Sequence, residues 1–409
     1  MTVNAVRPDT TESALPDAPW PRVKLGEMCE VATDGDWIES KDQSPDGIRL
    51  VQTGNIGNGR FENKAGRARY VSKETFERLN CTEVFPGDVL VSRLPDPVGR
   101  SCKVPDIKQR MITAVDCTIL RFKKALDSDF FVRFSQSQAY QDEIASFITG
   151  STRARISRKN LEQIQIPLPP LPVQRGIVAR LDAELARADR MRERFLALAE
   201  SATARFRAIL SETFEQGENG DSWPRVKLGE VCELKSGFTP KPEEIAESGD
   251  TPYFRIASMN EAENDVEMVK PIGYYIGKNN RRFPKGALVF PKNGGAALTH
   301  KIRYLVTDSI VDLNTGVFLP AESLDTDYLY YWFFALPIDR VLVTGTLPFV
   351  DFPRLSQQTL PLPPLPVQQS IVARLDAAQA DCGRIEELAR KGAEGCVALR
   401  AALLKEAFE

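Results

Sequence analysis

Two long stretches of the chain carry an apolar residue at every third or fourth position. Over 173–214, Ile177, Leu181, Leu185, Ala188, Met191, Phe195, Leu198, Ala202, Phe206 and Ile209 draw one stripe, while Asp182, Glu184, Arg187, Arg190, Arg192, Glu193 and Arg194 take the other faces. That period predicts one long helix with a single apolar side. The pattern returns over 367–408 with Ile371, Leu375, Ala378, Cys382, Ile385, Leu388, Cys396, Leu399 and Leu403. Gly392 and Gly395 weaken this second helix, each costing about 1 kcal/mol against alanine. Neither helix can bury its stripe alone. Their matching lengths predict that they pack on each other as an antiparallel coiled coil, a rod of about 60 Å for about 40 residues at a 1.5 Å rise.

The chain ahead of each helix has another texture. Over 20–166 and 223–360 the apolar stretches are short and rich in β-branched residues, as at 48–51, 89–91 and 118–122, and turn residues such as Asp46-Gly47, Gly57-Asn58-Gly59 and Pro86-Gly87 separate them. Strands with a few helices are predicted, one helix covering 128–147. The eight residues from Pro167 to Gln174 return unchanged from Pro361 to Gln368, and the eight from Trp20 to Glu27 return from Trp223 to Glu230. Weaker echoes pair 50–56 with 253–259, 85–93 with 283–292 and 149–151 with 344–346. This is a duplication that keeps the frame and lets the contents diverge. In each proline-rich segment the prolines end a strand, and Pro172 or Pro366 falls just before a helix, where a missing N–H costs nothing. Both segments read as hinges rather than as ligands for a proline-binding domain.

The expected class is α+β, with two similar bodies separated by the two-helix coiled coil and related by a pseudo-two-fold axis. The expected order is a flexible leader at 1–19, a first body at 20–166, a proline hinge and helix at 167–215, a linker at 216–222, a second body at 223–360, and a second hinge and helix at 361–409.

At 409 residues, with 42 % hydrophobic and 27 % charged, the chain exceeds one core and has ordinary globular composition, so several domains are expected. No apolar run approaches the roughly 18 residues of a membrane span, and residues 1–18 lack a signal-like apolar region, which predicts a cytoplasmic protein. Seven cysteines without a C-x-x-C pair read as reduced, packed thiols. The net charge of −3 supplies no attractive field for nucleic acid. By segment, 20–166 holds 23 Lys and Arg against 20 Asp and Glu, whereas 223–360 holds 15 against 17. DNA binding would require basic residues gathered on one face.

Enzyme motifs are scarce. The sequence has no phosphate-binding glycine loop of either common spacing, and its one histidine, His300, is expected on a surface loop. Triads and most metal sites need more imidazoles than one. Pro45-Asp46 followed by Glu62-Asn63-Lys64 loosely fits a Mg²⁺ nuclease built on Asp46, Glu62 and Lys64, but the apolar strand such a site needs is missing. A coiled-coil scaffold whose bodies bind proteins is a further alternative.

A binding role fits better, because equal frames with divergent contents suit a task in which spacing is fixed and specificity varies, as on duplex DNA. Candidate readers of phosphates and base edges are Gln52, Asn55, Arg60, Arg93, Arg100, Lys103, Ser151, Arg153, Arg155, Arg158 and Lys159 in the first body. In the second they are Arg255, Ser258, Asn260, Lys292, Asn293, Lys301, Arg303 and Thr346. Val178, Leu196, Leu210, Val372, Val397 and Leu404 extend the helices' apolar surface beyond one stripe and are candidates for partner docking.

The doubled pattern of Leu-Gly-Glu, a Gly-Ser/Thr turn, Pro-Leu-Pro-Pro-Leu-Pro-Val-Gln, then Ile-Val-Ala-Arg-Leu-Asp and a long helix resembles the specificity subunit of type I restriction-modification systems. The likeness covers 20–409. It implies two target-recognition domains, each reading half of a split asymmetric DNA site, and a coiled coil between them that sets the spacer. It also implies no catalysis and no cofactor in this chain. Two methyltransferase subunits holding S-adenosylmethionine would dock on it, joined by restriction subunits.

Overall fold

A computed structural model of the protein describes residues 20–148, 154–215, 223–279 and 281–408. The expected leader and linker, the Gly-Ser turn at 149–151 and the candidates Ser151 and Arg153 lie outside the described residues. The chain divides into two compact units, one of Met1–Arg194 with Gly392–Glu409 and the other of Phe195–Lys391. The long helices are observed at Leu171–Glu215 and Leu365–Phe408. Both begin before the expected residue because a proline at the second position of a helix loses no hydrogen bond.

In unit 1 a four-stranded antiparallel sheet has the order Cys29–Asp34, Cys117–Phe122, Val89–Ser92, Ser101–Lys103. A second sheet, with Ile48–Val51 parallel to Met111–Thr113, stands beside it. Alternating Val89, Val91 and Leu120 face the main core with Phe130, Phe131 and Phe134, and Leu90, Cys102 and Ile119 face a smaller one. The helix expected over 128–147 is two helices, Ser128–Phe134 and Gln138–Phe147. The break comes where the Ser137 hydroxyl accepts the Tyr140 N–H and caps the second helix.

Unit 2 repeats the plan with a five-stranded sheet ordered Cys232–Ser236, Thr315–Pro320, Leu288–Pro291, Arg303–Leu305, Glu267–Met268. Its core gathers Leu288, Phe290 and Phe318 with the aromatic helix Thr326–Ala335. The repeated Arg-Val-Lys tripeptides do the same work in both units: Arg22–Lys24 pairs with Gln165–Pro167, and Arg225–Lys227 with Thr359–Pro361.

The ends of the long helices belong to these cores. In unit 1, Leu181 and Leu185 pack with Leu404 and Phe408, and Arg180–Glu406 (2.9 Å) and Arg400–Asp189 (2.8 Å) flank them. As the number rises on one helix it falls on the other, so the two segments are antiparallel. In unit 2, Leu210 and Phe214 pack with Ile371, Val372 and Leu375, and the Thr203 hydroxyl bonds Glu386 at 2.5 Å. Each buried Leu or Phe contributes on the order of 1.5–3 kcal/mol, so the helix ends stabilise the bodies as well as each other. Met191, Leu196 and Leu198 on the first helix and Leu388, Val397 and Leu399 on the second are exposed. Among the described residues no helix is long and apolar enough to cross a membrane.

Candidate nucleic-acid interface

One rim of the main sheet has the same backbone frame in both units. After the first sheet strand the chain turns at Gly35 or Gly237, whose N–H donates to Cys117 O (2.9 Å) or Thr315 O (3.1 Å). A Cβ at Gly35 would lie 2.3 Å from the Thr113 carbonyl oxygen, and one at Gly237 would lie 2.0 Å from that of Val311, so only glycine fits this approach. At the end of the third strand the Arg93 N–H donates to Asp116 O (2.9 Å), as the Lys292 N–H does to Asn314 O (2.8 Å). A later segment closes the rim: Ile156 N–H donates to Arg93 O (3.2 Å) and Val350 N–H to Lys292 O (2.8 Å).

The side chains on that frame differ. In unit 1 Arg93 is 5 % exposed, donates to Val115 O at 2.6 Å and faces Asp34 at 3.3 Å and Asp116 at 3.9 Å. Burial lowers its proton affinity and Asp34 opposes that shift. The exposed Arg155 pairs with Asp116 at 3.2 Å, and Arg158 donates to Ala32 O at 2.6 Å beside Asp34. Trp37, just beyond the turn, is 70 % exposed. In unit 2 a cation is kept at this place, but the carboxylates around it are replaced by neutral groups. Lys292 donates to the Ser236 hydroxyl at 2.9 Å and lies over the Phe352 ring, Asn293 Nδ2 donates to Asn314 Oδ1 at 3.1 Å, and Leu313 and Leu347 stand exposed.

The structure brings the exposed Arg155 and Arg158 to the first rim beside Arg93, whose burial among Val115 O, Asp34 and Asp116 corrects it from a reader to a support of the frame, and Lys292 and Asn293 to the second, with Thr346 exposed on the closing segment. Lys159 is exposed beside Arg158. Several other candidates are corrected by burial. Arg100 donates to four backbone carbonyls, those of Ile56, Leu94, Pro97 and Thr53, at 2.7–3.2 Å. Arg303 does the same work toward Asn264 O and Ile302 O and pairs with Asp265. Asn55 caps its own turn through Gln52 N and Glu62 O, and the Ser258 hydroxyl accepts from Arg255 N. These four hold loops and have no free edge for a base. Gln52 is half-buried, Arg60 pairs with Glu62, Lys103 with Asp129, and Lys301 with Asn260, while Arg255 is exposed.

Among the helix candidates, Leu210, Val372 and Leu404 are core residues at 4 %, 8 % and 6 % exposure, which corrects their assignment to docking. Val178 packs against the unit 1 core, and Leu196 and Val397 are exposed. His300 is also corrected: it sits in a left-handed turn with its ring 4.7 Å from Phe333, and burial lowers its pKa. Of the nuclease trio, Glu62 is held by Arg60 and the Lys64 ammonium donates to Gly54 O. Among the described residues no group of His, Cys, Asp or Glu is arranged to hold a metal ion. Asp34, Trp37, Asp116 and Asn314 escaped the sequence reading, because the 85–93 echo ends at an offset of 199 and Asp116 and Asn314 stand 198 apart, so a one-residue shift in the intervening loop hides the match.

A family model described as the type I restriction modification DNA specificity domain matches residues 18–192 and again 220–392. The chain belongs to that family. It is 24 % identical over 396 residues to the type I restriction enzyme EcoKI specificity subunit of Escherichia coli strain K12, covering 89 % of this chain and 82 % of that one. It is 23 % identical to the MjaVIII specificity subunit of Methanocaldococcus jannaschii, over 62 % of this chain and 67 % of that one. Two solved structures share the fold. One is a chain from a study of complex assembly and conformational transition of the type I R-M system (20 % identity, 97 % of this chain and 98 % of that one, TM-score 0.79). The other is the HsdS subunit from Thermoanaerobacter tengcongensis (20 % identity, 96 % and 97 %, TM-score 0.64). As a type I specificity subunit the chain recognises DNA sequence and is not itself catalytic; such subunits work with methyltransferase and restriction subunits.

Proposed function

We propose that each unit reads one half of a bipartite, asymmetric DNA site through the rim described above. The observation that carries this reading is one backbone frame holding two chemistries, Arg93, Asp34, Asp116 and Arg155 in unit 1 against Lys292, Ser236, Asn293 and Asn314 in unit 2. A frame that fixes backbone position while the side chains change reads different base edges from one approach geometry. In the cytoplasm two methyltransferase subunits, which would hold S-adenosylmethionine, dock on the exposed helix positions Leu196 and Val397, and restriction subunits join them. The two helices fix the spacer between half-sites. The test is to map N6-methyladenine in host DNA with and without this gene, and with Arg155→Ala. Loss of one bipartite motif with the gene, and weakened methylation with the variant, supports the reading. An unchanged methylation map on gene loss overturns it.

A further inference from the structure

Unit 2 contains a cavity of about 420 Å³ whose lining includes Tyr304, Tyr330, Tyr331, Asp327, Asp376 and Lys285. Unit 1 shows what the same positions do elsewhere. Lys103 and Tyr304 occupy matching places on their strands, opposite Val89 and Leu288. Asp129 and Asp327 are each the second residue of a helix capped by Asp127 or Asp325, and Arg133 and Tyr331 follow four residues later. Asp182 and Asp376 end the repeated Ile-Val-Ala-Arg-Leu-Asp.

In unit 1 both carboxylates hold a cation from the chain itself, Lys103–Asp129 at 2.7 Å and Arg133–Asp182 at 2.6 Å. In unit 2 both carboxylates are kept and both cations have become tyrosines. The Tyr331 hydroxyl lies 2.5 Å from Asp376 Oδ1 and 2.7 Å from Gln379 Oε1, and the Tyr304 hydroxyl bonds Asp327. The rings of Tyr304 and Tyr330 stack at 5.0 Å, and Tyr331 meets Tyr330 edge-on at 5.4 Å. Lys285 lines the cavity without forming an ion pair to either aspartate. Aromatic rings beside carboxylates are the chemistry that recognises organic cations, and a carboxylate bonds a cationic donor more strongly than it bonds the neutral tyrosine hydroxyls it meets here.

We propose that this cavity binds an organic cation, a guanidinium or primary ammonium group carried on an aliphatic chain. The ligand supplies from outside what Lys103 and Arg133 supply in unit 1. Two sources share this chemistry, an arginine or lysine side chain of a partner subunit and a free polyamine.

Agmatine, which carries both groups, is the probe. Calorimetric titration of the full chain should show saturable binding. Asp327→Asn with Asp376→Asn should weaken it by roughly tenfold or more, at an unfolding midpoint no lower than that of the native chain. Tyr304→Lys with Tyr331→Arg copies unit 1 into unit 2 and should abolish binding in a chain that circular dichroism shows still folded at the titration temperature, and Tyr304→Lys alone, at the less buried of the two positions, should weaken it. No binding to the native chain at about 10 mM agmatine, or undiminished binding to the Lys/Arg variant, overturns the proposal. Repeating the titration with the methyltransferase subunit bound assigns the source: agmatine excluded identifies a partner side chain, and agmatine retained identifies a free cation. None of these readouts involves DNA, so they succeed or fail separately from the recognition reading.

Discussion

Gln174 and Gln368 make the same three hydrogen bonds in their separate units. Gln174 Oε1 accepts from Asp127 N (2.8 Å), and its Nε2 donates to Ala125 O (2.9 Å) and Pro169 O (2.8 Å). Gln368 accepts from Asp325 N (2.8 Å) and donates to Ser323 O (2.9 Å) and Pro363 O (2.8 Å). Both side chains are fully buried. The last residue of the repeated eight thus ties the first turn of each long helix to the loop that caps the body's main helix, which accounts physically for its identity in both copies.

Removing either glutamine takes away the partner of three backbone groups, one of them in a buried bond and two in part-buried ones. Gln174→Ala should cost about 3 kcal/mol, and Gln174→Glu, which turns a second acceptor toward two carbonyls, should not restore it. Amide exchange at Asp127 should accelerate while that at Asp325 is unchanged, and Gln368→Ala should show the reverse. Equal acceleration at both sites would mean that the two ties do not act locally.

Arg100 and Arg155 are both cations of unit 1 with opposite roles. Arg100→Ala abandons four carbonyls and should destabilise the unit by about 3 kcal/mol or more. Arg155→Ala should leave unfolding nearly unchanged, weaken DNA binding by the assembled complex and lower the slope of log affinity on log salt by about 1. Denaturant titration and filter binding at several salt concentrations separate the two.

His300 is the chain's one histidine, and its titration can be assigned without ambiguity. Burial against Phe333 and Phe334 lowers its folded pKa, opposed by a hydrogen bond to the Phe333 backbone. The unfolded chain then binds the proton more readily. The stability from neutral His300 is therefore present above the ordinary value of about 6.5 and declines as pH falls below it. The native chain should lose more stability than His300→Phe between about pH 7.5 and about pH 5.5, read by urea unfolding of unit 2. An equal loss would show that His300 stays solvated.

Charge placed on the helices should act according to burial. Leu404→Glu puts a carboxylate among Leu181, Leu185 and Phe408 and should unfold unit 1, costing several kcal/mol. Val397→Glu, at a position 54 % exposed, should leave unfolding within about 0.5 kcal/mol of the native chain. Thermal melts of the two variants distinguish them.

The long helices were legible because an apolar period sustained over forty-odd positions has no competing reading, and the duplication because its edges are identical in sequence. The break at Ser135–Ser137 was not, since a serine hydroxyl inside an apolar pattern caps a new helix only where the chain already turns. Arg93, Arg100 and Arg303 stood out as cations, but their burial depends on partners brought from distant segments, Val115 and Asp34 for Arg93, Thr53 and Ile56 for Arg100, and Asn264 for Arg303, which no local pattern records. Likewise, the apolar stripe does not tell Leu404 from Val397. Which side is covered is decided by the body that the helix end packs against.

Independent reading by the two units is tested most directly by exchanging residues 27–165 for the matching segment of a relative with a different target, and sequencing N6-methyladenine in cells that carry the hybrid. Base contacts act locally, and mismatches at separated positions cost roughly additive amounts of about 1–3 kcal/mol. The hybrid should therefore methylate a site in which one half has changed and the other half and the spacer are intact. A methylated site altered in both halves would contradict it.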